Sequence, residues 1–175
     1  MLWPRDVACI LYENADCAVL IDPLVPADEA AFWSWADDRC RGREVVVLET
    51  IRFHRRSRDA VLARYPAATM GAESAVPPRW GVEPHSLPAS EETVFWIPEH
   101  RALVPGDVLI GTGGGGLSLC PESWLEELSE RPTLAQLRAA VGVLRDLDIE
   151  MVLVSHGDPA LSDGRAELAR ALDSP

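Results

Sequence analysis

The chain has 175 residues, of which 47% are hydrophobic and 25% are charged. A chain of this length buries one sizeable core, so we expect residues 1–175 to form a single domain. The formal net charge of −12 at pH 7 repels phosphate backbones and anionic lipid surfaces, which proteins bind through clustered lysine and arginine. This charge excludes nucleic acid and membrane surfaces as expected partners and leaves a small-molecule ligand.

The sequence shows no targeting or disulfide pattern. No apolar run reaches the ~20 residues that a membrane helix needs, and no signal-peptide pattern is present. We therefore expect a cytoplasmic protein. The four cysteines have no metal-type spacing, so we expect them to be reduced and mostly buried. They are Cys9, Cys17, Cys40 and Cys120.

Alternating residues predict a β-hairpin in the first segment. Residues 7–12 form its first strand, residues 13–16 carry turn-forming side chains, and residues 17–21 form its second strand. Apolar residues at helical spacing next predict a helix from about residue 28 to about residue 41. The β-branched run at residues 45–48 is typical of a strand that is buried on both faces.

Ser57 is expected to cap the next predicted helix, which covers residues 58–65. The middle of the chain predicts short strands separated by prolines, because proline cannot donate a hydrogen bond within a sheet. These strands cover residues 69–73, 82–87, 94–97 and 103–110.

Thr133 and Gln136 match a capping box, which predicts the start of a helix with one apolar stripe. The stripe consists of Leu134, Leu137, Val141 and Leu144. A buried strand at residues 151–154 and a helix at about residues 163–172 follow.

Helices on the outer faces of stacked sheets give a four-layer αββα sandwich, an α/β fold, as the leading architecture. A doubly wound open sheet is the alternative, which the hairpin start and the helix-free run of middle strands disfavour. Residues 111–116 satisfy G-x-G-x-x-G, but no helix pattern follows them. We therefore expect a flexible loop there rather than a dinucleotide-binding turn.

Polar clusters at residues 50–57, 106–107 and 155–158 follow three of the predicted strands, and together with Leu20-Ile21-Asp22-Pro23 their order along the chain resembles the metallo-β-lactamase superfamily. Leu20-Ile21-Asp22-Pro23 is similar to the early strand and aspartate of that family, and residues 45–50 to the strand before its histidine motif. Residues 104–109 are similar to its Gly-Asp strand, and residues 154–157 to its last histidine. The resemblance implies a minimal αββα sandwich of the metallo-β-lactamase type.

The resemblance also implies a metal site with missing ligands. That family uses an H-x-H-x-D-H motif, a later histidine, a bridging aspartate and a terminal histidine. Here His54 takes the place of the second histidine, while Arg56 and Ser57 stand where the aspartate and third histidine belong. Asp107 matches the bridging aspartate and His156 the terminal histidine. In the family these three survivors are divided between two metal positions.

Ser90 stands where the later histidine is expected, so neither metal position keeps three ligands. A site would need His54, Asp107 and His156 to close around one ion. We expect the candidate cavity to be lined by Asp22, His54, Arg56, Ser57, Asp107 and His156, with Asp22 ordering its loop rather than binding metal.

Arginines after His54 oppose a cation in this cavity. A guanidinium about 4 Å from a divalent ion is repelled by roughly 8 kcal/mol at an effective dielectric constant of ~20. A buried Asp107 without any cation would be costly in turn. We therefore hypothesise that an arginine, Arg56 first and Arg52 or Arg55 next, pairs with Asp107 or Asp22 where zinc would sit.

Two functions follow from the resemblance. In the first, the chain is a degenerate member without a full dinuclear zinc centre, a binding module that need not be catalytic. In the alternative, it is a metal-dependent hydrolase of an ester, thioester, lactam or phosphodiester that uses a reduced site with one zinc ion. The sequence assigns no catalytic residue and no organic cofactor.

Overall fold

The computed structural model describes residues 6–71 and 76–174. These residues divide into two compact units: one spans residues 9–82, and the other joins residues 6–8 to residues 83–174. Within the described ranges, no helix has the length and apolar character needed to cross a membrane. The prediction of one domain stays a prediction.

The 9–82 unit is built on a sheet in the order β1-β2-β3-β4. β1 and β2 form the predicted antiparallel hairpin, whereas β2, β3 and β4 run parallel to one another. The carboxylate of Asp28 caps the first helix by accepting the Ala31 N–H at 3.1 Å. The elements are β1 (Ile10–Glu13), β2 (Cys17–Ile21), α1 (Glu29–Cys40), β3 (Glu44–Leu48), α2 (Arg58–Arg64) and β4 (Thr69–Met70).

Both helices of this unit contribute to one apolar cluster with the sheet. Cys40 of α1 and Val61 of α2 pack with Leu20 of β2 and Val47 of β3. The hairpin, the first helix and the β-branched strand were therefore predicted correctly. The predicted strand at residues 7–12 begins only at Ile10, and the predicted strand at residues 69–73 extends beyond the described residues.

The second unit contains a sheet in the order β10-β7-β6-β5 and a separate β8-β9 hairpin. β10 is parallel to β7, and the other neighbours are antiparallel. Its elements are β5 (Glu83–Leu87), β6 (Glu92–Ile97), β7 (Ala102–Val104), β8 (Leu109–Gly113), β9 (Gly116–Leu119), α3 (Glu122–Leu125), α4 (Leu134–Val141), β10 (Met151–Val152) and α5 (Gly164–Asp173).

The capping box at the start of α4 is confirmed. The Thr133 hydroxyl accepts the Gln136 N–H at 3.3 Å, and the Gln136 side chain accepts the Thr133 N–H at 2.8 Å. Of the predicted apolar stripe, Leu137, Val141 and Leu144 are fully buried. The chain tightens after α4 into a 3-10 helix over Gly142–Asp146, which carries the last of these side chains.

Several local predictions were wrong for identifiable reasons. The predicted strand at residues 103–110 is two strands, because Pro105 has no N–H and Gly106 turns the chain at a φ of 66°. Residues 111–116, predicted as a loop, belong mostly to the β8-β9 hairpin: Gly111–Gly113 end β8, Gly114 and Gly115 form the turn, and Gly116 begins β9. Of the predicted strand at residues 151–154, only Met151–Val152 is a strand, although the Leu153 N–H still donates to the Leu103 carbonyl at 2.8 Å.

Candidate functional site

A buried hydrogen-bond network lies at one edge of the sheet in the 9–82 unit. It joins Asp22, which follows β2, to Thr50 and His54, which follow β3. Because β2 and β3 are adjacent and parallel, their carboxyl ends meet at the same edge. None of the three residues is more than 3% exposed. This edge of the sheet therefore concentrates buried polar side chains.

The carboxylate of Asp22 orders the loop after β3. Its Oδ1 accepts the Thr50 N–H at 2.8 Å, and its Oδ2 accepts the Thr50 hydroxyl at 2.6 Å. Nδ1 of His54 lies 2.8 Å from the same Oδ2. Both oxygens of this buried carboxylate are thus satisfied by groups of one loop, as burial of a charged group requires.

The contact with Asp22 also orients the ring of His54. A carboxylate only accepts hydrogen bonds, so Nδ1 of His54 is the donor in this contact. Histidines that bind metals in proteins are commonly oriented by a carboxylate behind the ring in this way. The His54 ring is therefore held in the way that metal-binding histidine rings are held.

The residues after His54 take structural contacts. The Ser57 hydroxyl accepts the Val25 N–H at 2.9 Å, and the Ser57 N–H donates to the Pro23 carbonyl at 3.0 Å. Ser57 occupies the N-cap position before α2, as predicted, but its side chain does not cap the helix, because the hydroxyl accepts the Val25 N–H instead. At the position that the sequence resemblance assigns to a third histidine, this chain has a serine whose hydroxyl joins two loops by a hydrogen bond.

The arginines of this loop differ in exposure. Arg52 and Arg55 are exposed, and the guanidinium of Arg52 lies 4.3 Å from the centre of the Phe53 ring. Arg56 is half-buried and has a φ of 30°. The hypothesis that one of these arginines pairs with Asp22 or Asp107 stays a prediction.

In the other unit, Asp107 and His156 are in direct contact. Nε2 of His156 lies 3.0 Å from Oδ1 of Asp107, and the side chains are only 12% and 17% exposed, respectively. The contact follows from the sheet, because Asp107 comes after β7 and His156 after β10, which are adjacent parallel strands. Two of the predicted ligands are therefore brought together within one unit.

The loop that carries Asp107 is held by a buried glutamate from β6. Oε2 of Glu92 accepts the Asp107 N–H at 2.8 Å and the Val108 N–H at 3.4 Å. Glu92 is 4% exposed. A carboxylate that accepts from two successive backbone amides fixes the backbone beneath the Asp107 side chain.

The loop that carries His156 is held from both sides. The Gly111 N–H of β8 donates to the His156 carbonyl at 2.8 Å, and Val7 forms an isolated antiparallel bridge with His156. A Cβ on Gly111 would overlap backbone atoms of Asp158. Gly157 has a φ of 83°, which favours glycine. Gly111 and Gly157 therefore allow the backbone of β8 to pack closely against the loop that carries His156. This packing holds the His156 imidazole in place.

An aromatic ring also contacts the imidazole. The Trp124 and His156 rings lie 5.3 Å apart between centroids at 70°, an edge-to-face arrangement. Trp124 belongs to the short helix α3 and is half-buried. It restricts the orientation of His156 from the side of this helix.

Sequence reasoning missed Glu92, Trp124 and Val7 as parts of this environment. One signal was available for Glu92, because it is the one carboxylate in the otherwise apolar or hydroxyl-bearing strand Glu92–Ile97. The contacts of Trp124 and Val7 are long-range in sequence, and no local pattern announces them.

Comparison with known proteins gives structural relatives only. No protein-family model matches the sequence. No curated protein matches it either. Several solved structures match with a probability of 1.00, at sequence identities that establish the fold and nothing finer.

Three of these structures are the B3 metallo-β-lactamase BLEG-1, TTHA1623 in a di-iron-bound form, and the metallo-β-lactamase FIM-1 from Pseudomonas aeruginosa in its mono-zinc form. BLEG-1 is 14% identical, with 90% of each chain covered and a TM-score of 0.62. TTHA1623 is 16% identical, with 97% of this chain and 96% of that chain covered and a TM-score of 0.66. FIM-1 is 15% identical, with 98% and 86% covered and a TM-score of 0.56.

These matches confirm the predicted α/β sandwich of the metallo-β-lactamase type.

Proposed function

We propose that this chain, which has the metallo-β-lactamase fold, is a hydrolase-like protein with a degenerate metal site that binds one divalent ion and no dinuclear centre. The observation that carries the proposal is the 3.0 Å separation between Oδ1 of Asp107 and Nε2 of His156. Two ligand atoms on a tetrahedral zinc ion with bonds of ~2.0–2.1 Å lie about 3.3 Å apart. A shift of a few tenths of an ångström converts the contact into a pair of ligands.

The donor set supports zinc as the ion. Carboxylate oxygen and imidazole nitrogen are among the ordinary ligands of catalytic zinc, which uses three protein ligands and an open position. Asp107 and His156 supply two of these ligands. The resemblance implies His54 as another, and its ring, bonded to Asp22 through Nδ1, is oriented as metal-binding histidines are.

The same donor set argues against two ions. Each ion of a dinuclear centre needs about three protein ligands. Arg56 and Ser57 occupy two of the positions that the family uses for ligands, and the Ser57 hydroxyl is committed to the Val25 N–H. The solved structures include a mono-zinc form of FIM-1 and a di-iron form of TTHA1623. For this chain, ligand count favours the one-ion case.

The proposed reaction class is hydrolysis of an ester, thioester, lactam or phosphodiester. A bound divalent ion would supply Lewis-acid activation of water and substrate. The residues of this chain would supply orientation: Asp22 holds the His54 ring, Glu92 holds the Asp107 backbone, and Trp124 lies against the His156 ring.

Zinc titration of chelator-treated protein by calorimetry tests the proposal. We expect a stoichiometry of about one, and the loss of binding in Asp107→Asn and in His156→Ala. Asp158→Asn is the matched control, because Asp158 is an exposed carboxylate on the His156 loop, and it should bind zinc like the wild type. Zinc-dependent hydrolysis of a panel of the four substrate classes would then test catalysis. Binding that persists in both ligand variants would refute the assignment.

A metal-free binding module is the second candidate, and the same contact is consistent with it, because His156 and Asp107 lie within ion-pair distance of each other without a bound ion. In a metal-free module, we expect an arginine, Arg56 first, to pair with Asp107 or Asp22 in place of the ion. Arg56→Ala should then lower the free energy of unfolding by about 3–5 kcal/mol, the cost of breaking a buried ion pair. The exposed Arg55→Ala control should cost about 0–1 kcal/mol. Equal small effects of the two variants would count against the module.

A further inference from the structure

We infer that Glu92 is a positioning residue for the candidate metal ligand Asp107. This inference rests on the proposed function, because it concerns the site to which Asp107 contributes. Glu92 lies on β6, outside every motif that the sequence resemblance covers, and its carboxylate accepts a hydrogen bond from the backbone N–H of Asp107.

The geometry singles out one oxygen of Glu92. Oε2 accepts the Asp107 N–H at 2.8 Å, the distance of a good charge-assisted hydrogen bond, and the Val108 N–H at 3.4 Å. Val108 is fully buried and Glu92 is 4% exposed, so water cannot easily replace the carboxylate as acceptor. Without Glu92, two neighbouring amides would lose their acceptor in a desolvated place.

The turn makes this support necessary. Pro105 and Gly106 end β7, and the φ of 66° at Gly106 lets the chain reverse so that the next two amides point in one direction. In a continuous strand, the N–H groups of Asp107 and Val108 would bond to the neighbouring strand. In the turn they bond to the Glu92 side chain instead. Glu92 therefore fixes the Asp107 backbone at the point where the ladder hydrogen bonds are interrupted.

The consequence for the site comes through Asp107. Its N–H is held by Glu92 while its Oδ1 lies 3.0 Å from His156, so movement of the backbone would change the separation of the two candidate ligands. Residues that orient metal ligands typically change metal affinity by 10–100-fold when they are mutated. A residue with a purely structural role would change stability without changing the zinc affinity of the folded protein.

Three variants of Glu92 separate these roles. Glu92→Leu removes the acceptor, Glu92→Asp keeps the charge but shortens the reach, and Glu92→Gln keeps an oxygen at the same distance. We expect zinc affinity to fall by about 10–100-fold in the Leu and Asp variants and to be largely kept in the Gln variant. Glu83→Leu is the control, because Glu83 is an exposed carboxylate on the neighbouring strand β5.

A second measurement needs no metal. In NMR spectra of the metal-free protein, the Asp107 and Val108 amide protons should shift upfield and exchange faster in Glu92→Leu and Glu92→Asp, but not in Glu92→Gln or Glu83→Leu. If Glu92→Leu does not fold, the Asp and Gln variants provide the same comparison. Unchanged amides in Glu92→Asp would overturn the inference.

The two measurements also separate failure of the inference from failure of the proposed function. A wild type that binds no zinc would refute the function, while the amide shifts would still decide whether Glu92 holds the loop. If the wild type binds one zinc ion and Glu92→Asp binds it with equal affinity, the proposed function stands and the positioning role of Glu92 is refuted.

Discussion

The imidazole of His156 lies beside the carboxylate of Asp107, with 3.0 Å between Nε2 and Oδ1. The two residues are far apart in sequence, but they follow β7 and β10, which pair in parallel with Ala102 opposite Met151. Parallel neighbours deliver the loops at their carboxyl ends to one edge of the sheet. The contact between Asp107 and His156 therefore follows from the pairing of β7 with β10. It also depends on the loops that hold the two residues.

Gly111→Ala tests how the His156 loop is held. A Cβ at this position would overlap the carbonyl oxygen and the backbone nitrogen of Asp158, so the loop must move or the β8 strand must shift. We expect the free energy of unfolding to fall by about 1–3 kcal/mol, as for other overpacked positions, and zinc binding to weaken. Urea unfolding and zinc titration measure the two effects.

Gly142→Ala is the matched control for this variant. A Cβ added at Gly142 would meet no neighbouring side chain within 4 Å, and the residue has a helical φ of −56°. Alanine should be neutral there or should stabilise by about 0.4–1 kcal/mol, because it restricts the unfolded chain. If Gly111→Ala behaved like Gly142→Ala, the close approach of β8 to the His156 loop would not be required.

Thr50→Val tests the network around Asp22. The substitution removes the hydroxyl that donates to Oδ2 of Asp22 at 2.6 Å and leaves the shape of the side chain nearly unchanged. A lost hydrogen bond to a buried charged group costs about 1.5–3 kcal/mol, which is the expected decrease in the free energy of unfolding. The exposed Thr112→Val should change it by no more than about 0.5 kcal/mol. Equal effects would mean that the buried hydroxyl contributes nothing.

Much of the fold was predictable because the signals are local. The Asn14 side chain of the first turn accepts the N–H groups of Asp16 and Cys17, the kind of contact that marks a hairpin in sequence. The capping box at Thr133 is equally local. The break at Pro105-Gly106 was missed because apolar runs lie on both sides of it, at residues 102–104 and 108–110, and hydrophobicity alone cannot separate one long strand from two short ones.

The site was less predictable because its determinants are long-range. The resemblance supplied His54, Asp107 and His156 as candidate residues, and the structure adds what orients them. Thr50 lay in a predicted polar cluster, but its role depends on Asp22 of a different strand. Glu92 and Trp124 reach their partners only through sheet pairing and loop packing, which one sequence without relatives does not reveal.

Cys120 gives a prediction for alkaline pH. Burial, and next the negative charges of Glu92 and Asp107, raise the pKa of this thiol from 9.0 to about 12. A raised folded-state pKa contributes stability that is complete below pH 9 and is lost as the pH rises toward 12, because the unfolded state ionises first. Between pH 8 and pH 10 this group alone should remove about 1.4 kcal/mol from the free energy of unfolding.

Urea unfolding of the wild type and of Cys120→Ala at the two pH values isolates this contribution. The difference in free energy of unfolding between the two proteins should shrink by about 1.4 kcal/mol from pH 8 to pH 10. A difference that stays constant would show that the thiol ionises equally easily in both states, and hence that Cys120 is not desolvated beside these carboxylates.

The metal content of the protein purified without chelators tests the central claim most directly. Elemental analysis of the wild type, of Asp107→Asn and of the Asp158→Asn control gives the number of divalent ions per chain. We predict about one ion in the wild type and in Asp158→Asn, and none in Asp107→Asn. Two ions per chain in the wild type would contradict a degenerate site, and none would contradict a one-ion hydrolase and leave the metal-free module.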